Sequence, residues 1–241
     1  MKILFVGPTL PDAASIASPD IFLRPPAQRG DIVKAMQDGA NAIGLIDGLF
    51  ENVPPIWHKE ILFAISKGVA VYGAASMGAL RAAECAAFGM IGIGRIFEDY
   101  ASGALVDDSA VAQIHGPAEL GYLPLSEPLV NVKTTLESLV EAGAIDDMEH
   151  RALLLRAETM FFKSLTYRSL AQSVELPDPA RRKAISALLR HHAVNQKRAD
   201  ALELLDVLAA CPNERQQPPR DWSFQANSLW RFAFHHLEIA S

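Results

Sequence analysis

Residues 68–84 read GVAVYGAASMGALRAAE, and the fold follows from how that stretch divides. Val69 to Tyr72 is a short apolar run with β-branched and aromatic residues, the composition of a buried strand. Gly73, Ala74 and Ala75 are small, and from Met77 onward Met, Ala, Leu, Arg and Glu are strong helix formers. The stretch is therefore a strand, a tight turn and a helix, with Ser76 at the tip and Gly78 two residues on. That is the layout of a nucleophile elbow of Ala-x-Ser-x-Gly type, in which a sharp turn crowds the residues two positions to either side of the serine. Ser76 suits a helix N-cap equally well, its oxygen accepting a first-turn N–H. Both readings stand on the sequence. Met77, Arg81, Glu84 and Phe88 share one helix face, so Arg81 and Glu84 meet either a polar ligand or each other.

Outward toward the N-terminus the alternation repeats. Lys2 to Val6 reads as a strand ended by Gly7-Pro8, and Ile21 to Leu23 as another before Pro25-Pro26. Asp31 reads as the N-cap of a helix reaching about Asp38, with Ile32 and Met36 at helical spacing. Ala42 to Ile46 is a strand whose carboxyl end is Asp47-Gly48, and after Pro54-Pro55 a helix runs from Ile56 to Ser66. Strand and helix in alternation predict a Rossmann-like α/β fold, an open, mostly parallel sheet with helices on both faces. Ligands of such sheets bind beyond the carboxyl ends of the strands. That edge gathers Asp47, the first turns of the next helix with His58 and Glu60, and Ser76. Asp47-Gly48 also reads as a plain turn, and Glu60 as a favourable charge at a helix start.

Outward toward the C-terminus, Gly89-Met90-Ile91-Gly92-Ile93-Gly94 reads as a turn, because it follows a helix and lacks dinucleotide-loop spacing. Ile96 to Tyr100 is a short helix, and Ala110 to Ile114 is strand or helix, ended by His115-Gly116-Pro117. The preceding Asp107-Asp108 pair is a weak cation signal without further ligands. An amphipathic segment runs from Val130 to Ala142. From residue 145 on there is no glycine, and the pattern is helical: Asp146 to Ser164, Tyr167 to Ser173, Pro179 to Val194 and Gln196 to Leu208, with Pro177, Pro179, Pro212 and Pro218-Pro219 between or after them. The reading is an α/β domain over residues 1–144 and a smaller all-helical domain over 145–241. Arg181, Arg182, Lys183, Arg190, Lys197 and Arg198 form either a solvated basic face or a surface that steers an acidic partner. The pairs His191-His192 and His235-His236 lack ligand spacing, and Trp222, Phe224, Trp230, Phe232 and Phe234 give the tail enough aromatic surface to dock.

Composition limits the function. The chain has 241 residues, half of them apolar, and a net charge of −6, which argues against a general nucleic-acid binder. Cys85 and Cys211 make neither a disulfide framework nor a zinc motif. With no apparent signal peptide or spanning segment, a cytoplasmic protein is expected, with no metal and no cofactor.

Three blocks carry a resemblance: Ile46-Asp47-Gly48-Leu49-Phe50, Trp57-His58-Lys59-Glu60-Ile61-Leu62 and Tyr72 through Glu84. With Gly89-Met90, Gly92 through Ile96, Asp107-Asp108 and Val130-Asn131, they resemble the core of the TfuA family over about residues 42–135. Weaker likeness continues in Phe162-Lys163-Ser164 and Lys197 through Ala201. The resemblance implies a partner of YcaO enzymes, which use ATP to activate a backbone amide of a peptide for replacement of oxygen by sulfur. The TfuA partner is expected to supply sulfide by recruiting or hydrolysing a thiocarboxylated, ThiS-like ubiquitin-fold carrier, with contact to the precursor peptide only indirect. Ser109-Ala110 stand where a more acidic run is expected, which weakens any ionic role there.

Thiocarboxylate hydrolysis is acyl transfer, and it needs a nucleophile, a base and oxyanion donors. The candidates are Ser76 as nucleophile, His58 as base, Asp47 or Glu60 orienting it, and the Met77 N–H as an oxyanion donor beside Gly78. Arg81 would hold a carboxylate, with Glu84 orienting it. Asn131, His115, Arg181 and Arg182 complete the candidate binding residues. The alternative is a non-catalytic adaptor that binds the YcaO enzyme and the carrier, with Ser76 only a helix cap; a small-molecule hydrolase unrelated to sulfur is a third reading.

Overall fold

The structure is a computed structural model that describes residues 1–49, 53–175 and 178–234. Phe50, Pro177 and the His235-His236 pair lie outside the described residues. Five strands form one all-parallel sheet: β1 (Lys2–Phe5), β2 (Ile21–Arg24), β3 (Ala42–Leu45), β4 (Ala70–Ala74) and β5 (Ile91–Ile93). Their spatial order is β2-β1-β3-β4-β5, so the winding reverses between β1 and β3.

Strand periodicity decides which helix covers which face. Ile3, Phe5, Ile43, Leu45 and Val71 point to one side, where they meet α2 (Asp31–Gln37), α3 (His58–Ser66) and α4 (Met77–Cys85). Leu4, Ala42, Ala70 and Tyr72 point to the other. Right-handed crossovers send α2, α3 and α4 to the first face and leave only the short α1 (Ala13–Ile16) on the second. That second face is completed by α10 (Gln196–Ala210), whose Ala201, Leu204, Leu205 and Leu208 are buried against it. Gly44 makes the close approach possible, because a Cβ there would lie 2.7 Å from Leu4 Cδ1 and 2.9 Å from Leu204 Cδ2. The buried Lys2 amine donates to Ala209 O at 2.6 Å, fixing the far end of α10.

Between β5 and α10 the chain forms α5 (Arg95–Ser102), α6 (Leu129–Glu141), α7 (Asp147–Thr159), α8 (Tyr167–Ser173) and α9 (Pro179–His191). The last four share their own apolar core, centred on Leu136, Leu153, Leu170 and Leu189. The tail helix α11 (Ser228–Ala233) docks on the body, burying Trp230 at 5.2 Å from the Phe63 ring.

Two local expectations need correction. The glycine-rich segment after α4 is not only a turn: its centre is β5, and Gly92 is required because a Cβ would strike the Phe97 ring about 2.0 Å away. The helix expected to reach Ser164 stops at Thr159; the Thr159 hydroxyl bonds back to Arg156 O at 3.0 Å, and a short 3₁₀ turn covers Phe162–Ser164.

Candidate functional site

The carboxyl ends of β1, β3 and β4 meet beside the winding reversal, and the chain geometry there begins with Ala75. Ala75 has φ of 65°, and the Ser76 N–H donates to Ala74 O at 2.8 Å. An i to i+2 bond around a positive φ is a γ-turn of the rare, strained form. The strain therefore falls on the residue before the serine. Ala75 is fully buried by it, and Ser76 is turned to the half-exposed rim.

Ser76 occupies the N-cap position of α4, yet its hydroxyl caps nothing. Among the described residues it makes no hydrogen bond, and the Met77 N–H donates to nothing. Gly78 is small for a different reason than turn crowding. Its N–H donates to Ile46 O at 3.1 Å, and a Cβ would lie 1.8 Å from Leu45 O, so α4 begins in direct backbone contact with the end of β3.

Ser76 lies where two hollows meet. On one side is a cleft of about 270 Å³, lined by Gly48, Pro55, Met77, Leu80, Arg81 and Val111 among others. On the other is a cavity of about 30 Å³, walled by Pro8, Asp47, Gln113, His115 and Lys197 with Ser76. The cavity has room for a water or two.

The structure separates most of the other candidates from Ser76. Asp47 is buried, and Oδ2 accepts the N–H groups of Gly7 at 2.8 Å and Thr9 at 3.0 Å. It therefore clamps the loop after β1 and does not orient His58. Glu60 accepts from the N–H of Gly30 at 2.8 Å and of Trp57 at 3.3 Å, on the side of α3 that joins α2. Burial pushes Glu60 up to about 7, against the pull of those two N–H groups. His58 is instead bound to Glu84, Nε2 to Oε2 at 2.8 Å, and Arg81 Nη1 reaches the same oxygen at 2.5 Å. Burial alone would raise Glu84, but the hydrogen bonds from His58 and Arg81 outweigh it and hold the carboxyl below the usual glutamate range. Arg81 and Glu84 thus pair as their spacing suggests. Arg81 still faces the cleft, and its buried Nε–H lacks an acceptor among the described residues.

The binding candidates divide in the same way. His115 walls the inner cavity, with Nδ1 2.8 Å from Gly116 O and its ring against Tyr122. Asn131 is buried and positions α10: its Oδ1 accepts the Lys197 N–H at 3.1 Å. Arg181 is tied up within the chain, with two bonds to Glu149 at 2.6 Å and one to Ala144 O at 2.8 Å. Arg182 is half-buried on the same helix and also has a partner within the chain.

Lys197 and Thr9 are the residues that sequence reasoning passed over. Lys197 is 3% exposed, its amine donating to Val111 O at 2.9 Å, so it is no part of a solvated basic face. Burial pushes the amine below the ordinary lysine range, although the nearby Asp47 charge opposes this. A signal was present, since Lys197 lies at i, i+4, i+7 and i+11 with the buried Ala201, Leu204 and Leu208. A lysine in register with an apolar stripe goes inside with it.

Among the described residues no helix is long and apolar enough to cross a membrane. A comparison with curated proteins gives no match. A family model described as TfuA-like protein matches residues 47–166, about half of the chain. The match starts at Asp47 and takes in the γ-turn, the cleft and the Arg81–Glu84 pair; on it the chain belongs to the TfuA-like protein family, which implies association with a YcaO enzyme.

Proposed function

We propose that the chain releases sulfide for its YcaO partner by hydrolysing the C-terminal thiocarboxylate of a ThiS-like, ubiquitin-fold carrier. One observation carries this reading: the Ser76 hydroxyl, uncapped and without a hydrogen bond, lies between a larger cleft and a small cavity lined by Asp47, His115 and Lys197. The cleft has mostly apolar walls with Arg81, Asp108 and Ser109 among them; the apolar part suits the last residues of an extended tail, and the arginine its terminal anion. Arg81 lines the cleft that would receive that end. Ser76 attacks the carbonyl carbon, the Met77 N–H serves the oxyanion, and the carbon–sulfur bond breaks. Water then frees the acyl serine, so that one thiocarboxylate and one water give one carboxylate and one hydrogen sulfide.

The test is direct. Purified protein and thiocarboxylated carrier should yield sulfide and a carrier whose mass has returned to the carboxylate form. Ser76→Ala should remove that turnover by about 100-fold or more while still binding the carrier. Wild-type turnover by Ser76→Ala would defeat the nucleophile assignment.

The adaptor reading has its own support. Val106 is 82% exposed, and Leu120, Leu123 and Leu125 are exposed on the loops that follow. Exposed large apolar residues are typical of surfaces that meet another protein when they lie together. No sulfide release by wild type, together with tight binding of the YcaO enzyme, favours it.

A further inference from the structure

The chain from residue 105 to residue 126 has an inner and an outer side. Inward, Asp108, Ser109 and Ala112 line the cleft, and Gln113 and His115 wall the small cavity, both beside Ser76. Outward, Val106 stands before the cleft residues, and Leu120, Leu123 and Leu125 are between 55% and 67% exposed. We propose that this outer side is the dock for the globular body of the carrier, and that it fits a protein surface whose apolar residues are ringed by Lys and Arg. The inference rests on the hydrolytic reading above and names the surface that presents the tail to Ser76.

The three leucines belong to one hairpin. The Gly116 N–H donates to Leu123 O and the Leu125 N–H to Ile114 O, each at 2.8 Å, and His115 bridges Pro124 in antiparallel register. A Cβ at Gly116 would lie 3.8 Å from the Cβ atoms of both Leu120 and Leu123, so these two side chains start side by side. Leu125, two residues beyond Leu123, returns to the same face of the strand. Tyr122 turns the other way. Its ring packs 5.5 Å from the His115 ring, and its Cζ is 3.4 Å from where a Cβ of Gly7 would lie. Turn tips are ordinarily polar, whereas this one holds Tyr122 at φ of 54° with the leucines left in solvent. Apolar side chains kept together and outward by a fixed backbone mark a surface that meets another protein.

Continuity and charge identify the occupant. The cleft, at about 270 Å³, is smaller than the pockets that enclose drug-sized ligands, so it takes only the last residues of a tail. At about 3.3 Å per residue, the body attached to that tail stays near the cleft and meets the outer side of the segment that walls it. Residues 96–132 contain no Lys or Arg but hold Glu98, Asp99, Asp107, Asp108, Glu119 and Glu127. Asp107, Asp108 and Glu119 are exposed and make no ion pair among the described residues. These charges repel acidic proteins and attract a body that carries Lys and Arg around its own apolar patch. Arg81 lies inside the cleft, so the tail's anion and the body meet opposite charges.

Carrier in its ordinary carboxylate form, titrated calorimetrically into the full chain, tests the dock. Leu120→Ser combined with Leu123→Ser should weaken binding by about 10-fold or more. Glu119→Lys should weaken it by about 5-fold at low salt, an effect that shrinks near about 0.5 M salt. A carrier lacking its C-terminal tail should still bind wild type, through its body, and should fail to bind the leucine variant. Wild-type affinity for the carrier in both the leucine variant and Glu119→Lys overturns the proposal. So does a loss of YcaO binding or of self-association in place of carrier binding, which assigns the leucines to that occupant. Glu119→Lys changes no packed residue and decides the matter where the leucine variant misfolds. Sulfide release with wild-type KM by the leucine variant removes the dock and leaves hydrolysis standing. Carrier bound through these leucines with no sulfide released removes hydrolysis and leaves the dock.

Discussion

Thr9 hydrogen-bonds twice to Asp47, its backbone N–H to Oδ2 at 3.0 Å and its hydroxyl to Oδ1 at 2.5 Å. With the Gly7 N–H this closes the crevice between β1 and β3 at the winding reversal, where open parallel sheets bind ligands. The carboxylate that the sequence offers as a catalytic partner is thus a clamp. Asp47→Ala leaves two buried N–H groups without an acceptor and should cost about 2–4 kcal/mol, measured by urea denaturation. Asp47→Asn should lose less than Asp47→Ala, because the amide oxygen still accepts one of the bonds.

Glu60 makes stability depend on pH. Its folded value of about 7 lies above its ordinary 4.5, so the folded state binds the proton more tightly than the unfolded chain. The resulting stabilisation is complete below pH 4.5 and is lost as pH rises through 7. The stability of wild type relative to Glu60→Gln should fall between pH 5 and pH 8 by up to about 3 kcal/mol, as read from paired denaturation curves.

The γ-turn predicts an asymmetry at Ala75. Glycine there relieves a positive φ worth about 1 kcal/mol, against a similar loss from greater freedom of the unfolded chain. Ala75→Gly should therefore change stability by less than about 1 kcal/mol, whereas Ala75→Val should cost more than about 2 kcal/mol through branching and overpacking. Thermal melts of the two variants test this.

Gly78 couples stability to the position of Ser76. A methyl group 1.8 Å from Leu45 O must push the start of α4 away from β3. Gly78→Ala should destabilise by about 1–3 kcal/mol and reduce sulfide release beyond what the folded fraction explains. An active, fully stable Gly78→Ala would show that the backbone contact does not position the serine.

The Arg81–Glu84–His58 cluster has a pH sign opposite to that of Glu60. Glu84 is held below its ordinary range, so its contribution is present above pH 4.5 and lost as pH falls through the depressed value. Glu84→Gln should remove that acid-side loss and free Arg81 within the cleft. Carrier binding by this variant should then become less sensitive to pH below 4.5, as measured by titration calorimetry.

The sequence was most legible where each element makes its own contacts. The β1, β3 and β4 strands, α2, α3 and α4, and the parallel arrangement follow from apolar periodicity and from Gly and Pro punctuation. Ser76 was found because strand, small residues and helix formers sit side by side. Its uncapped hydroxyl was not legible, since capping depends on a backbone angle at Ala75 that alanine rarely adopts. Asp47, His58 and Glu60 were grouped by topology, which fixes the sheet edge but not the direction of each side chain. Asp47 turned to β1, Glu60 to α2 and His58 to Glu84. Lys197 was missed because its burial depends on a helix that returns to a sheet begun far earlier in the chain.

That return has a consequence for synthesis. The strands leave the ribosome with Leu4, Ala42 and Tyr72 facing no helix of adequate length, and cover arrives only after Leu208 has been translated. Pairings so distant in sequence are slow to form and leave apolar surface open to aggregation meanwhile. A nascent chain bearing Ser76 but not yet α10 also lacks Lys197 and one wall of the inner cavity. The hollow beside the serine is therefore assembled only near the end of translation, in the same step that shields the sheet.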